Sequence, residues 1–237
     1  MRGQVPEVTI IDLPDDPMGF ADALRQSPVF ERLKLSEEDR SRSQYYAQDR
    51  MRSELQQTTG SLEDFYRSLQ MVVDIEPVTH SNLARAAQLT QKTNQFNMTT
   101  RRYTEEQIAA MTPPAWRTYT IRVKDRFGDN GVVGLALAKI ENGTCTIDTF
   151  LLSCRVIGRT VETAFLAIIA RNAIAAGATK MVGEFLPTRK NAPAKDFYRQ
   201  HAFALKSESN GNQTWELSLN PNPLTVPPWI ELHVKPG

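Results

Sequence analysis

Phe150-Leu151-Leu152-Ser153-Cys154-Arg155-Val156-Ile157-Gly158-Arg159-Thr160-Val161 is the stretch whose reading decides the fold. An apolar run ends at Leu152, a glycine stands at 158, and from Thr160 onward Val161, Ala164, Phe165 and Ile168 recur at helical spacing. The stretch therefore reads as a strand, a glycine-bearing turn and a helix N-terminus. The first N–H groups of a helix have no intrahelical partner and lie at the positive end of its dipole, so an anion such as a phosphate fits there. The plainer alternative is a turn that only connects strand to helix.

On the N-terminal side of this turn, three alternating runs (residues 119–123, 132–140 and 144–152) are joined by Gly128-Asp129-Asn130-Gly131 and Asn142-Gly143. That pattern predicts an antiparallel meander. On the C-terminal side the spacing predicts a helix over 160–176 closed by Gly177, and a strand over 180–186. A helix opened by Asn191-Ala192-Pro193 then runs to about Phe203, and a strand covers 213–219. Ahead of the meander, residues 71–76 alternate as a strand stopped by Pro77, and helices are predicted over 82–93 and from 104 or 105 to 111. Between those helices residues 92–103 are dense in amides and hydroxyls, which serve either as turn-makers or as ligand contacts. From residue 71 the order is β-α-α-β-β-β-α-β-α-β.

Residues 1–70 read as a short strand over 5–11, ended by Pro14 and Pro17, and then helices over 19–33, 36–57 and from Ser61. The charged helical run is a solvated surface by composition. Residues 220–237 are proline-rich, and Trp229, Ile230 and Leu232 predict that this tail docks on the body. Three regions result: 1–70, 71–219 and 220–237.

The charge balance, 28 basic against 27 acidic residues, favours neither a nucleic acid nor a membrane surface as partner. Neither a bilayer-spanning apolar run nor a signal-peptide core is visible, so a cytoplasmic location is expected. Cys145 and Cys154 fit a reducing compartment and give no metal-cluster spacing, so no metal is expected.

The element order resembles the GNAT (GCN5-related N-acetyltransferase) superfamily, and two motifs lie in matching places. Residues 155–160 resemble its Arg/Gln-x-x-Gly-x-Gly/Ala phosphate loop, and residues 191–203 resemble its Asn-x-x-Ala-x-x-x-Tyr-x-x-x-Gly-Phe helix. The resemblance implies an α/β (α+β) fold: a mixed, mostly antiparallel central sheet with flanking helices, preceded by a helical connector. It implies a cleft between splayed strands that receives pantetheine, held by Arg155, Val156, Gly158, Arg159, Thr160 and Asn191. Tyr198 would be the acid that protonates the leaving thiolate; the alternative is an aromatic packed between helix and sheet. Thr160 and Ala202 stand where the family pattern has Gly or Ala and Gly.

Residues 90–104, 153–159 and 183–193 resemble, in order, the C-terminal part of FkbH-like proteins. That resemblance implies a preceding HAD (haloacid-dehalogenase-like) domain, which takes a glyceryl unit from 1,3-bisphosphoglycerate and loads it as a thioester on an acyl carrier protein for polyketide assembly. The cofactor would be the carrier's phosphopantetheine arm, or coenzyme A. Asn94, Gln95, Asn97 and Arg101 would border the acyl end. Cys154 would be a thioester way-station, or else a small buried residue at a strand end. The HAD Asp-x-Asp pattern is absent, since Asp12-Leu13-Pro14 breaks it, so no dephosphorylation is expected from this chain. Three functions remain open. One is an acyltransferase-type domain acting with the carrier protein. Another is a free-standing acyl-CoA N-acyltransferase, for which Glu162 and Glu184 are the nearest carboxylates while His80, His201 and His233 fall outside the motifs. The third is a non-catalytic module docking the carrier protein at the HAD site.

Overall fold

The structure, a computed structural model, describes residues 11–27 and 42–235. The strand expected over 5–11 and the start of the helix expected over 36–57 fall outside those residues, apart from Ile11. The chain divides into two compact units, one up to Gln44 and one from Tyr45. In the first, Asp16 caps a 3-10 turn, Pro17–Gly19, by accepting from the Met18 N–H at 3.0 Å, and α1 (Phe20–Arg25) follows. Gln26 and Ser27, within the helix expected over 19–33, are not helical, and residues 28–33 of that expectation lie outside the described residues. The helix stops before Pro28, and the residue preceding a proline is disfavoured in helical geometry.

The helix α2 (Arg42–Thr58) begins at the boundary, and α3 (Leu62–Leu69) starts at Ser61, whose hydroxyl accepts from the Asp64 N–H. The sheet follows. Its strands are β1 (Met71–Pro77), β2 (Phe96–Asn97), β3 (Trp116–Asp125), β4 (Gly128–Glu141) and β5 (Thr144–Leu152), then β6 (Lys180–Phe185), β7 (Ala204–Ser209), β8 (Asn212–Ser218) and β9 (Ile230–Val234). They are ordered β7-β8-β6-β5-β4-β3-β1-β9, with β2 beside β5. Only β5/β6 and β1/β9 pair in parallel among the described strands. The fold is thus a mixed α/β open sheet, mostly antiparallel.

Helices α4 (His80–Lys92), α5 (Glu105–Ala109), α6 (Val161–Ala175) and α7 (Phe197–Gln200) flank the sheet. The period of two along β4 feeds both faces: Ala136 and Ala138 join the core with Phe165 and Ile168 of α6, while Leu135 and Leu137 join Ala86, Leu89 and Ile108 of α4 and α5. The long run of apolar residues in α6 is explained by burial on nearly every side.

Several elements differ from the sequence reading. The β3/β4 turn falls at Arg126-Phe127, held by the Asp125 carboxylate accepting from the N–H groups of Phe127 and Gly128, and residues 128–131 belong to β4. The helix predicted over 191–203 is broken into a 3-10 turn (Ala192–Ala194) and the four-residue α7. β2, β7 and β9 are additional strands, and β9 carries the tail onto the edge of β1.

Candidate functional site

The site to be tested is the gap where β5 and β6 part. Their ladder runs from Thr144↔Lys180 to Ile147↔Gly183 and stops, although β5 continues to Leu152. From that point each strand has a free inner edge, and backbone N–H and C=O groups there need partners. The chain itself supplies them. Phe96 and Asn97 pair with Leu152 and Leu151, the Met98 N–H donates to the Phe150 carbonyl at 3.1 Å, and the Leu186 N–H donates to the Met98 carbonyl at 2.8 Å. Phe96, Asn97 and Met98 are buried, the last two with no exposed surface. Residues 96–98 thus bridge the two parted strands, at the place where the sequence resemblance puts the pantetheine cleft.

Asn191 locks this plug. Its Nδ2 donates to the carbonyls of Asn97 and Leu186, both at 2.9 Å, and its Oδ1 accepts from the Thr188 N–H at 2.7 Å. Asn97 in turn donates to the Thr93 carbonyl and accepts from the Thr100 N–H. Of the expected acyl-end residues, Asn97 is thus internal. Arg101 is held by Asp148 and Glu184, at 2.8 and 2.7 Å, and Asn94 accepts from Arg102. Gln95 is exposed.

The phosphate loop has the expected backbone. A 3-10 turn (Cys154–Val156) leads to Gly158 at φ 77° and Thr160 at φ 62°, both left-handed, and then to the 15-residue α6. A side chain added at Gly158 would meet open space, so its glycine is required by φ alone. The loop's polar groups, however, face inward. Arg159 is buried and donates to Asp125 and Asp49 at 3.2 and 3.0 Å, beside Arg52, which forks onto Asp125 at 2.7 and 3.0 Å. Burial and the adjacent Arg52 lower the Arg159 pKa to about 10, against the pull of the two aspartates. Arg155 lies over the Tyr45 ring at 4.2 Å and donates to the Asn130 carbonyl. Val156 spends its N–H on the Ser153 carbonyl.

The Glu162 carboxyl lies in the first turn of α6, and burial, the largest cause, pushes its pKa up while the neighbouring backbone of Glu162 and Thr160 pulls it back. Its Oε2 is shut off from solvent without a partner. Tyr66 donates to the Gly158 carbonyl at 3.1 Å, stacks on Trp229 at 5.3 Å, and Trp229 Nε1 donates to Thr160 Oγ1 at 2.8 Å. Of the residues expected to hold a phosphate, Arg155 and Arg159 thus bond internal partners and Val156 is buried, while Gly158 and Thr160 keep the left-handed turn ahead of α6.

Tyr198, expected either as an acid or as a packed aromatic, is buried in the core. Its ring packs between Phe197, Phe203 and Trp215 and against Gly183, where an added Cβ would fall 2.3 Å from the ring. The hydroxyl is buried without a partner, and burial raises its pKa far above the ordinary tyrosine value. Cys154 is exposed, not a buried strand-end residue, whereas Cys145 is the buried thiol, pushed up to about 12 by desolvation. His201, outside the motifs, hydrogen-bonds the Phe197 carbonyl and Thr163 through its two ring nitrogens, and burial lowers its pKa. Among the described residues no cluster of three or more metal-ligating side chains forms, and no helix is long and apolar enough to cross a membrane.

No family model matches the sequence, and no curated protein gives a significant match. Solved structures with a related arrangement include the ribosomal-protein-S18-alanine N-acetyltransferase of Escherichia coli, 12% identical over 62% of this chain and 93% of that one, with a TM-score of 0.47. The GNAT domain of S. lividans PAT is 16% identical over 61% and 89%, with a TM-score of 0.48. The PaiA N-acetyltransferase of Thermoplasma acidophilum, solved in complex with coenzyme A, is 13% identical over 62% and 98%, with a TM-score of 0.43. At these scores the likeness carries no weight for function.

Proposed function

We propose that this chain is an acyltransferase-type module that does not itself transfer an acyl group. It has the GNAT-like element order but keeps the donor position closed with its own residues, and acts as a recognition module for thioester chemistry performed on another domain. The observation that carries this reading is the backbone pairing of Phe96–Met98 across the parted edges of β5 and β6. The sequence resemblance names the partners this reading calls for: an acyl carrier protein and a HAD-like domain. Isothermal titration tests it. Coenzyme A and acetyl-CoA are expected to give no heat of binding and no acylation of amines, while an acyl carrier protein binds equally with and without its phosphopantetheine arm. Micromolar binding of coenzyme A, or carrier binding that requires the arm, contradicts the reading.

A second reading, an acyl-CoA N-acyltransferase, is favoured by one observation: the left-handed Gly158 and Thr160 turn stands at the start of a 15-residue helix, where a pyrophosphate would be held. It requires residues 96–98 to leave the β5 and β6 edges when the cofactor arrives. The same titration separates the two, because only this reading predicts saturable coenzyme A binding.

A further inference from the structure

A cavity of about 890 Å³ opens at the other end of α6, beside Arg171, Asn172, Ala175 and Ala176 and about 20 Å along the helix from the phosphate-type loop. It forms where β1 ends at Pro77, β3 begins at Trp116 and α4 starts at His80, so strand ends and not strand faces make its floor. Its volume lies within the range of small-molecule sites. One side is apolar: Val78, Leu83, Ile108, Met111 and Trp116, over the smaller core beneath α4 and α5. The other side is basic. Arg117 donates to the carbonyls of Pro114 and Trp116, at 2.9 and 3.0 Å, and is paired with no carboxylate among the described residues; Arg171 has no ion pair there either. Asn172 donates to the Tyr119 hydroxyl at 3.3 Å, and Tyr119 stands two positions from Arg117 on β3 and so on the same strand face, which puts the α6 end and Arg117 on one side of the cavity. Lys235 is neutralised by Glu76 at 2.6 Å, and no aspartate or glutamate lines the wall.

We propose that this cavity binds an amphiphilic carboxylic acid, its hydrocarbon body against Leu83, Met111 and Trp116 and its carboxylate toward Arg117 and Arg171. Two guanidinium groups without a carboxylate beside an apolar wall are complementary to that chemistry, because a charged hydrogen bond at a partly desolvated rim discriminates strongly between an anion and its neutral analogue. The site lies at the opposite end of α6 from the loop discussed above, so it stands or falls independently of the proposed function.

The test is calorimetric titration of the intact chain with decanoate, decyl phosphate, decanol and decyltrimethylammonium. Decanoate is expected to bind about tenfold or more tightly than decanol and the ammonium. The double substitution Arg117→Gln and Arg171→Gln removes that advantage and leaves decanol binding unchanged. Both arginines are at least partly exposed, so the variant folds with an unaltered melting profile. Ala175→Trp, at the exposed end of α6, blocks the cavity and abolishes decanoate binding. Equal binding of decanoate and decanol, no binding of any probe, or decanoate binding that survives the double substitution overturns the proposal. Tighter binding of decyl phosphate than of decanoate overturns the carboxylate assignment.

Discussion

Tyr198 is the largest fully buried side chain described, its ring packs on Phe197, Phe203 and Trp215, and its hydroxyl, beside Gly183, has no hydrogen-bond partner. An unsatisfied buried hydroxyl costs about 1–3 kcal/mol, so Tyr198→Phe is expected to keep or raise stability by about 1 kcal/mol in urea unfolding. A loss of that size would mean that the hydroxyl has a partner and a task. Glu162 gives a second residue-scale prediction. Its folded pKa is raised by burial above the ordinary glutamate value of 4.5. Between the unfolded and folded values the native state therefore binds more protons than the unfolded one, and stability falls as pH rises through that window. Glu162→Gln does not titrate, so its melting temperature relative to the parent should climb from about pH 4.5 upward and then level off. A difference that moves the other way with pH would place the carboxylate in a favourable ionic environment instead. None of this was legible in the local sequence. Whether Arg159 faces a ligand or the chain's own acids is decided by Asp125 and Asp49, 34 and 110 positions away, and Arg155 is held by the Tyr45 ring and the Asn130 carbonyl.

At the scale of elements, periodicity located the meander, α6, its Gly177 cap and β6, because each has enough residues to show a period and a stop signal. Two-residue β2 has no period to read. It exists because β5 and β6 part after Ile147 and Gly183 and leave edges to be satisfied. The helix expected over 191–203 is cut short at both ends of its last turn: Pro193 lies in a 3-10 turn, and Ala202 takes φ 62° where the resembling family has glycine. β7 escapes the same reading because all its residues are exposed, so no buried face imposes an alternation. Element packing carries its own prediction. Arg52 of α2 and Arg159 of the loop converge on Asp125, which has no exposed side-chain surface, and both also reach the half-exposed Asp49, so two carboxylates balance two buried cations. Asp125→Ala removes the buried member and leaves the two arginines to share Asp49 alone, and is expected to cost about 3 kcal/mol in denaturant unfolding. A cost below about 1 kcal/mol, the scale of exposed pairs, would show that the cluster is solvated.

For the molecule as a whole, the sheet order legible from residue 71 onward is present, yet the cleft that order would open is closed by residues between α4 and α5. The sequence showed that residues 92–103 were rich in directional donors and left two meanings open. In the structure that stretch bonds the chain itself, through Asn97, Asn191, Arg101 and the backbone of Met98. The most direct measurement is amide hydrogen exchange at Met98 and Leu186, whose N–H groups bridge β5 and β6 through residues 96–98. Both amides should exchange as slowly as those of central β4, and should do so equally with and without excess coenzyme A. Rapid exchange at either amide, or a change in protection at residues 96–98 when coenzyme A is added, would show that the gap opens to a ligand and would contradict the account.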